Sequence, residues 1–213
     1  MTEIKATYIH SCGDDLTTVN AARVSFDKSS ESLSDRDRKL IGYLADHKHT
    51  SPFGHAFATF KVDAPVFVAR QLVKHKFLRM NEVSRRYVDS EPEFYVPDFW
   101  RGKSKDKKQG SSGILHNQSF INDQYEEAMN RMDGVYDYLL SLGVAPEQAR
   151  MVLPQSMMTS WWWSGSLDAF ADMCRLRMGS DAQTETREVA LQIAEVLDEL
   201  YPESFRALLK GDK

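Results

Sequence analysis

Helical periodicity dominates this chain and is interrupted by only two short β-favouring runs. The longest amphipathic stripe predicts a helix over residues 114–142, closed by Gly143. Shorter helices are predicted over residues 35–47, 65–77, 167–177 and 181–200, and strands over residues 56–62 and 157–163. We expect Ser180 and Gln183 to form the capping box that opens the last helix. Because helices and strands do not alternate regularly, the predicted fold class is α+β.

The length, charge and cysteine content of the chain limit the classes of protein to which it can belong. Its 213 residues suffice for one domain with its own core, so we predict a single domain over residues 1–213. A formal net charge of −4 excludes a polycation that coats nucleic acid. No apolar window is long enough for a transmembrane helix, and the charged first residues do not resemble a secretory signal. Cys12 and Cys174 have no metal-like spacing and predict reduced thiols, hence a cytoplasmic protein (host cytoplasm for a viral gene) without a metal site.

A low-complexity tract at residues 101–113 is rich in Gly, Ser and Lys. It holds no apolar side chain that folding can bury, so we expect a mobile surface loop. Neither flank resembles an independent core, which places this loop inside the single domain.

Positive charge is concentrated in residues 70–86, although the chain as a whole is acidic. The segment carries six Lys and Arg residues and His75, against a single acid, Glu82. Clustered cations repel one another, and phosphate neutralises them well because Lys and Arg donate charge-assisted hydrogen bonds to it. The segment therefore indicates a phosphate-binding site. A solvated helix face, with its acids elsewhere in the fold, is the alternative.

Five blocks of sequence resemble, in order, the motifs of flavin-dependent thymidylate synthases. The central block, Lys74-His75-Lys76 followed after seven residues by Ser84, is similar to the family signature Arg-His-Arg-x7-Ser and continues into Asn81-Glu82-x-Ser84-x-Arg86-Tyr87. The other blocks are Ala21-Ala22-Arg23-Val24-Ser25, His49-x-Ser51-Pro52-Phe53-x-His55, Ala149-Arg150-x-Val152-Leu153-Pro154, and Leu176-Arg177 with Ala182-Gln183-x-Glu185-x-Arg187. Because they span residues 21–187, the resemblance covers most of the chain.

The resemblance implies a small, mostly antiparallel sheet flanked by helices, and the methylation of dUMP to dTMP. In that reaction 5,10-methylenetetrahydrofolate supplies the carbon, and NADPH reduces a bound FAD that carries the hydride. The family also implies a homotetramer with active sites shared between subunits, which binds dUMP and folate but neither nucleic-acid polymers nor membranes. The cysteines are consistent with this family rather than with the thymidylate synthases that use a cysteine nucleophile, because neither Cys12 nor Cys174 lies among basic residues that would activate a thiolate.

The same motifs assign the substrate site. Arg177 would act as the catalytic residue, because a fixed guanidinium beside the uracil stabilises the negative charge that develops on the ring. The dUMP-binding positions are matched by Gln71, Lys74, Glu82, Ser84, Arg85, Arg86, Arg150 and Arg177. We expect Ser84 to bind rather than attack, since no neighbouring base is evident that would activate its hydroxyl. Without the motif, the simplest interpretation of Arg177 would be a cation that complements the dipole of a helix at its C-terminus.

The motifs also assign flavin contacts, where the chain departs from the family. The flavin-binding positions are matched by His49, Ser51, Lys74, His75, Lys76, Glu82, Ser166, Asp168 and Asp172. Lys74 and Lys76 replace arginines, which keeps the charge but loses the planar fork. The three residues at 166, 168 and 172 stand where the family commonly has Asn, Arg and Asn. Since Asp168 reverses a charge, we expect Arg79 to compensate, within reach of Asp168 or of the same flavin.

Two other functions fit part of the sequence. An RNA- or anion-binding module would use residues 70–86 and would bind nucleic acid in a salt-sensitive way without flavin. It leaves the blocks around Arg150, Arg177 and Gln183 unexplained. A catalytically silent relative would keep the fold and lose its cofactor through the changes at residues 166–172. Uptake of FAD distinguishes the enzyme from both alternatives.

Overall fold

A four-stranded antiparallel sheet forms the centre of the fold. The computed structural model describes residues 2–88, 91–104 and 110–210. Its strands are β1 (Lys5–Cys12), β2 (Phe57–Pro65), β3 (Leu78–Glu82), β4 (Arg101–Lys103), β5 (Ser111–Ile114) and β6 (Met158–Ser166). The sheet has the order β1-β2-β6-β3, while β4 and β5 form a separate hairpin. Every neighbouring pair is antiparallel, so the predicted α+β class and sheet type are confirmed.

Helices account for most of the remaining described chain. They are α1 (Asp15–Arg23), α2 (Asp35–Asp46), α3 (Val66–Leu72), α4 (Gln118–Ser141), α5 (Pro146–Ala149), α6 (Leu167–Arg177), α7 (Thr184–Leu200) and α8 (Pro202–Lys210). Short 3₁₀ turns occupy Val24–Phe26, Ser51–His55 and Arg150–Val152. Helix α2 begins where the sequence predicts, because Ser34 and Asp37 form a reciprocal capping box. Among the described residues, no helix is both long and apolar enough to cross a membrane.

The core lies between the sheet and helices α1, α2, α6, α7 and α8. Trp161 and Trp163 are buried there, and Phe170 of α6 packs edge-to-face against Trp163 and Phe60 at centroid distances of 5.5 and 5.3 Å. Successive strand residues face opposite sides of a sheet, so Trp162 points the other way and is 51% exposed. The helices thus cover one face of the sheet and leave an aromatic side chain on the other.

The helix predicted after Pro65 is shorter than expected. It ends at Leu72 rather than near residue 77, because the chain turns through Phe77, whose φ is +65°, and enters β3. Strands β1 and β3 are absent from the sequence-based assignment. Both contain polar residues at half or more of their positions, and pairing with β2 and β6 decides their conformation.

The expected loop at residues 101–113 is ordered at both ends. Arg101–Lys103 pairs with Ser111–Ile114, and the Arg101 guanidinium lies 2.6 Å from the buried carboxylate of Glu185. Residues 105–109 lie outside the described part of the chain, so mobility there stays a prediction. Helix α4 consequently starts at Gln118 instead of residue 114.

The predicted capping box before α7 does not form. Gln183, not Ser180, occupies the N-cap position, and the side-chain oxygen of Gln183 accepts a hydrogen bond from Gln71 instead. A tertiary hydrogen bond has therefore replaced the local one.

Helix α8 is attached to the first helix through a buried carboxylate. Asp15 accepts hydrogen bonds from the backbone amides of Glu203 and Ser204 at 2.9 and 2.8 Å. These amides belong to the first turn of α8, where no intrahelical acceptor is available, and a negative charge there complements the helix dipole. Asp15 therefore fixes the C-terminal helix against the core.

We predict that Asp15→Ala lowers the free energy of unfolding by about 2 kcal/mol, since two charge-assisted bonds are lost and two amides are left without an acceptor. Asp35→Ala is the control, because Asp35 is exposed in the first turn of α2. It is expected to cost about 0.5 kcal/mol or less. Urea denaturation of both variants measures the difference. Equal losses would show that Asp15 does not anchor α8.

Candidate functional site

A cavity of about 1110 Å³ opens beside α3 and the end of β3. Its walls come from α3, the chain after β3, the turn Arg150–Val152 and the first residues of β6. Four predicted substrate-binding residues line it: Glu82, Ser84, Arg85 and Arg150. We call these four residues the cavity cluster. The space admits a small-molecule ligand, and its arginines suit a phosphate group.

Arg86 lies at the rim of this cavity rather than in its wall. Its Nε is 3.5 Å from a carboxylate oxygen of Glu147, which does line the cavity. The Nε of Arg150 donates to the Glu147 carbonyl oxygen at 3.3 Å, and no described residue bonds the terminal nitrogens of Arg150. Two guanidinium groups therefore stand next to one another around Glu147, where an anion can bind them.

Gln71, His75 and Arg177 form a second group, the Arg177 cluster, where α3 meets the end of α6. The Nε of Arg177 donates to Nε2 of His75 at 2.9 Å, and its Nη2 lies 3.5 Å from the carbonyl oxygen of Gln71. The Gln71 side chain is held by Gln183 and by the hydroxyl of Thr186, at 3.2 Å. These bonds orient the guanidinium and leave further N–H groups for a ligand.

The imidazole of His75 is neutral at physiological pH. Burial, and after it the charge of nearby Arg177, lowers the pKa of His75 to about 4. A neutral ring keeps the lone pair on Nε2 that accepts the hydrogen bond from Arg177. The two side chains therefore act as a donor and an acceptor, not as two repelling cations.

We group the other residues assigned to the flavin as the α6-start cluster: His49, Ser51, Ser166, Asp168 and Asp172. His49 is included only because it lies two residues before the turn that contains Ser51. The turn that contains Ser51 packs against α6, and strand pairing places Ser166 opposite the residue where β2 begins. The Oδ1 atom of Asp168 is buried and receives no hydrogen bond from the described residues. Asp172 is paired with Arg175 one turn further along the helix. The cluster thus contains an unused acceptor.

Exposed cations lie on the chain between α3 and β3 and on β3 itself. Lys74, Lys76 and Arg79 form no ion pair within the described chain, and β3 pairing puts Arg79 opposite Ser164, on the strand that leads into α6. The expected contact between Arg79 and Asp168 is not formed as an ion pair. The other possibility, that both residues contact one flavin, stays a prediction.

Within one chain the assigned residues do not converge on a single cleft. Asp168 and Arg177 occupy opposite ends of α6, about 14 Å apart along its axis. The described walls of the cavity include neither the Arg177 cluster nor the α6-start cluster. The chain therefore carries three partial sites.

Several supporting residues escaped sequence reasoning. The hydroxyl of Thr159 donates to Glu82 at 2.8 Å across β3 and β6, Thr186 and Gln183 hold Gln71, and Glu147 meets Arg86. Of these residues, only Gln183 could have been found from the sequence, because it belongs to one of the motif blocks. The others are ordinary polar residues that long-range packing brings to the site. The thiols take no part in these clusters: Cys174 is fully buried, and burial raises its pKa.

The cavity in this α+β fold, with Arg85 and Arg150 in its wall, suits a small phosphorylated molecule. Comparison with known proteins then gives the family. The model of the family described as thymidylate synthase complementing protein matches residues 8–203. The flavin-dependent thymidylate synthase of Thermosipho africanus is 40% identical over 93% of this chain and 87% of its own length. That of Thermus thermophilus is 39% identical over 93% and 74%. This chain belongs to the flavin-dependent thymidylate synthase family, as its motifs indicate.

A solved structure agrees with this assignment. The UMP/dUMP methylase PolB from Streptomyces cacaoi, bound with 5-Br dUMP, superimposes with a TM-score of 0.89. It is 31% identical, and the match covers 98% of this chain and 96% of that chain. The similarity therefore extends over the whole fold.

We predict that His75 titrates with a pKa near 4 and that Arg177→Gln raises this value, because the variant removes a nearby positive charge. The pKa should stay below 6.5, since burial is the larger cause. Because the unfolded chain binds this proton more readily, His75 destabilises the fold as pH falls from about 6.5 towards 4. NMR titration of the histidine ring protons tests the shift. An unchanged pKa in the variant would contradict the contact with Arg177.

Proposed function

We propose that this chain catalyses the reductive methylation of dUMP to dTMP, with bound FAD, 5,10-methylenetetrahydrofolate as carbon donor and NADPH as reductant. The observation that carries the proposal is the cavity cluster. Residues matched to dUMP-binding positions line one cavity in a chain of this family. The S. cacaoi relative, bound with brominated dUMP or UMP, supports a uridine monophosphate as the substrate.

The cavity cluster suits a nucleotide. Arg85 and Arg150 provide guanidinium groups for its phosphate, with Arg86 beside them at the rim. Glu82 and Ser84 provide short polar groups that suit a ribose hydroxyl or a ring edge. Gln71 of the Arg177 cluster, and Lys74 beside it in the sequence, would contact the same nucleotide. Ion pairs to the phosphate would thus hold the nucleotide in the cavity, while hydrogen bonds to the ribose and the ring edge would orient the pyrimidine.

Arg177 is the residue to which we assign catalysis. Its guanidinium is oriented by His75 and Gln71 before any ligand binds, so little reorganisation is needed when charge develops on the uracil. The neutral state of His75 supports this role, because the hydrogen bond that orients Arg177 persists across the physiological pH range. His75 would hold the arginine and contact the flavin as well.

The described residues fit a flavin nucleotide. Lys76, Lys74 and Arg79 are exposed cations without an ion pair within the described chain, which suits a diphosphate. The buried acceptor of Asp168 suits a hydroxyl or N–H group of the cofactor, so its negative charge need not face phosphate. His49, Ser51, Ser166 and Asp172 of the α6-start cluster, with Glu82, complete the set. When bound, the flavin supplies the hydride transfer, and the chain supplies orientation and charge.

Separation of the clusters supports an oligomer with shared active sites. One chain offers its cavity cluster and its Arg177 cluster as distinct groups, so a complete site needs two or more protomers. The sheet face opposite the helices carries the exposed Trp162, which a neighbouring protomer can cover. We infer a homotetramer, in keeping with the family resemblance.

We also infer that residues 1–213 act as one domain in the cytoplasm. A single hydrophobic cluster connects the sheet to helices from both ends of the chain. Both Cys12 and Cys174 are free thiols, in keeping with a reducing compartment.

The direct test is FAD binding and dTMP formation by the purified chain. We expect FAD uptake, alone or with dUMP, and turnover with methylenetetrahydrofolate and NADPH. Arg177→Ala should lower kcat about 100- to 1000-fold without altering FAD content or unfolding, while Arg131→Ala, an exposed arginine on α4, should change neither. Near-normal dTMP formation by Arg177→Ala would remove the assigned role. A wild-type chain that takes up no FAD in either condition would favour a silent relative or a binding module.

Shared active sites predict complementation between two inactive variants. Arg150→Ala disables the cavity cluster and Arg177→Ala disables the Arg177 cluster. When both variants are expressed together, about one site in four should draw both wild-type arginines from different protomers and regain activity. Co-expression of Arg150→Ala with the double variant Arg150→Ala/Arg177→Ala is the control and should stay inactive. If the first mixture assembles into mixed oligomers but stays inactive, the two clusters do not meet across an interface.

A further inference from the structure

Phe77 has an unusual backbone conformation. Three non-glycine residues of the described chain have positive φ: Asp27 at 50°, Lys48 at 57° and Phe77 at 65°. Asp adopts this left-handed region comparatively easily, whereas a bulky aromatic residue does so rarely. The turn from α3 into β3 would form with less strain if residue 77 were glycine. The phenylalanine is therefore not required by the turn.

The Phe77 side chain does not contribute to the core either. It is 81% exposed, the highest exposure of any large hydrophobic side chain in the described chain. The backbone of Phe77 packs closely against Gly165 of β6. If residue 165 had a side chain, its Cβ would lie 3.1 Å from the Phe77 carbonyl oxygen and would clash with the Leu78 side chain. A close fit thus keeps the strained turn in place, while the ring projects into solvent.

The ring stands among residues already assigned to the cofactor. His75, bonded to Arg177, precedes it by two positions, and Lys76 and Arg79 flank it as exposed cations. Pairing of Leu78 with Gly165 places the turn next to Ser166, at the start of α6. A flat apolar surface between cations matches a planar ring system that carries phosphate.

We propose that the Phe77 ring stacks on the isoalloxazine ring of the bound flavin and that the strained turn exists to present it. This inference rests on the proposed flavin-dependent function. Residue 77 is then a positioning residue for the cofactor, and an aromatic side chain there is required for flavin affinity but not for folding.

The test compares FAD affinity with stability in the flavin-free, full-length chain. Phe77→Leu and Phe77→Gly should raise the Kd for FAD about tenfold, as expected for the loss of one stacking contact, whereas Phe77→Tyr should retain wild-type affinity. The melting temperature of the flavin-free protein should not fall in Phe77→Leu and should stay the same or rise in Phe77→Gly. Phe26→Leu is the matched control, because Phe26 is 76% exposed with an ordinary backbone, and it should change neither quantity.

Each alternative has a distinct result. If wild-type protein binds FAD and both non-aromatic variants bind it equally well, the stacking proposal is wrong and the proposed function stands. If the variants dissociate into smaller oligomers in size-exclusion chromatography, the ring is an inter-subunit contact and the proposal is again wrong. If wild-type protein binds no FAD, both the stacking and the proposed function fail.

Discussion

Pairing between β3 and β6 is the constraint on which the three clusters depend. Its register, from Leu78 opposite Gly165 to Glu82 opposite Trp161, places the basic turn beside the start of α6 and sends the chain after β3 into the cavity wall. The same strand continues into α6, which ends at Arg177. Moving β6 by one residue relative to β2 and β3 would turn Trp161 and Trp163 out of the core, so burial of these rings specifies how β6 is placed in the sheet.

Local signals were sufficient for the elements that carry their own hydrophobic pattern or cap. Helix α2 begins directly after its predicted cap, Ser34, β2 and β6 follow apolar runs, and α6 has the predicted bounds. Strand β3 is different, since its pairing partner lies about eighty residues away and its own sequence alternates weakly. The helix pattern after Pro65 continues past Leu72, yet tertiary pairing overrides it.

The candidate site likewise has features that the sequence predicts and features that only tertiary packing decides. Motif resemblance identified the assigned residues, but it could not show that they separate into three groups within one chain, because that depends on where α3, α6 and the turn after α5 are placed. Nor could it find Thr159, which has no local pattern and reaches Glu82 only through the sheet. Charge reversal at Asp168 looked unfavourable in the sequence. In the structure, its buried oxygen is an acceptor in need of a donor.

The ion pair between Arg86 and Glu147 at the cavity rim has a consequence for selectivity. In the ligand-free chain the guanidinium already has a carboxylate partner, although both side chains are about half exposed and their attraction is weak. An incoming molecule must therefore outcompete an internal monoanion. A phosphate monoester, with its second charge near neutral pH, can do so, whereas a nucleoside without phosphate leaves the pair intact. In the proposed function, Glu147 would thus favour phosphorylated over unphosphorylated pyrimidines at the cavity rim.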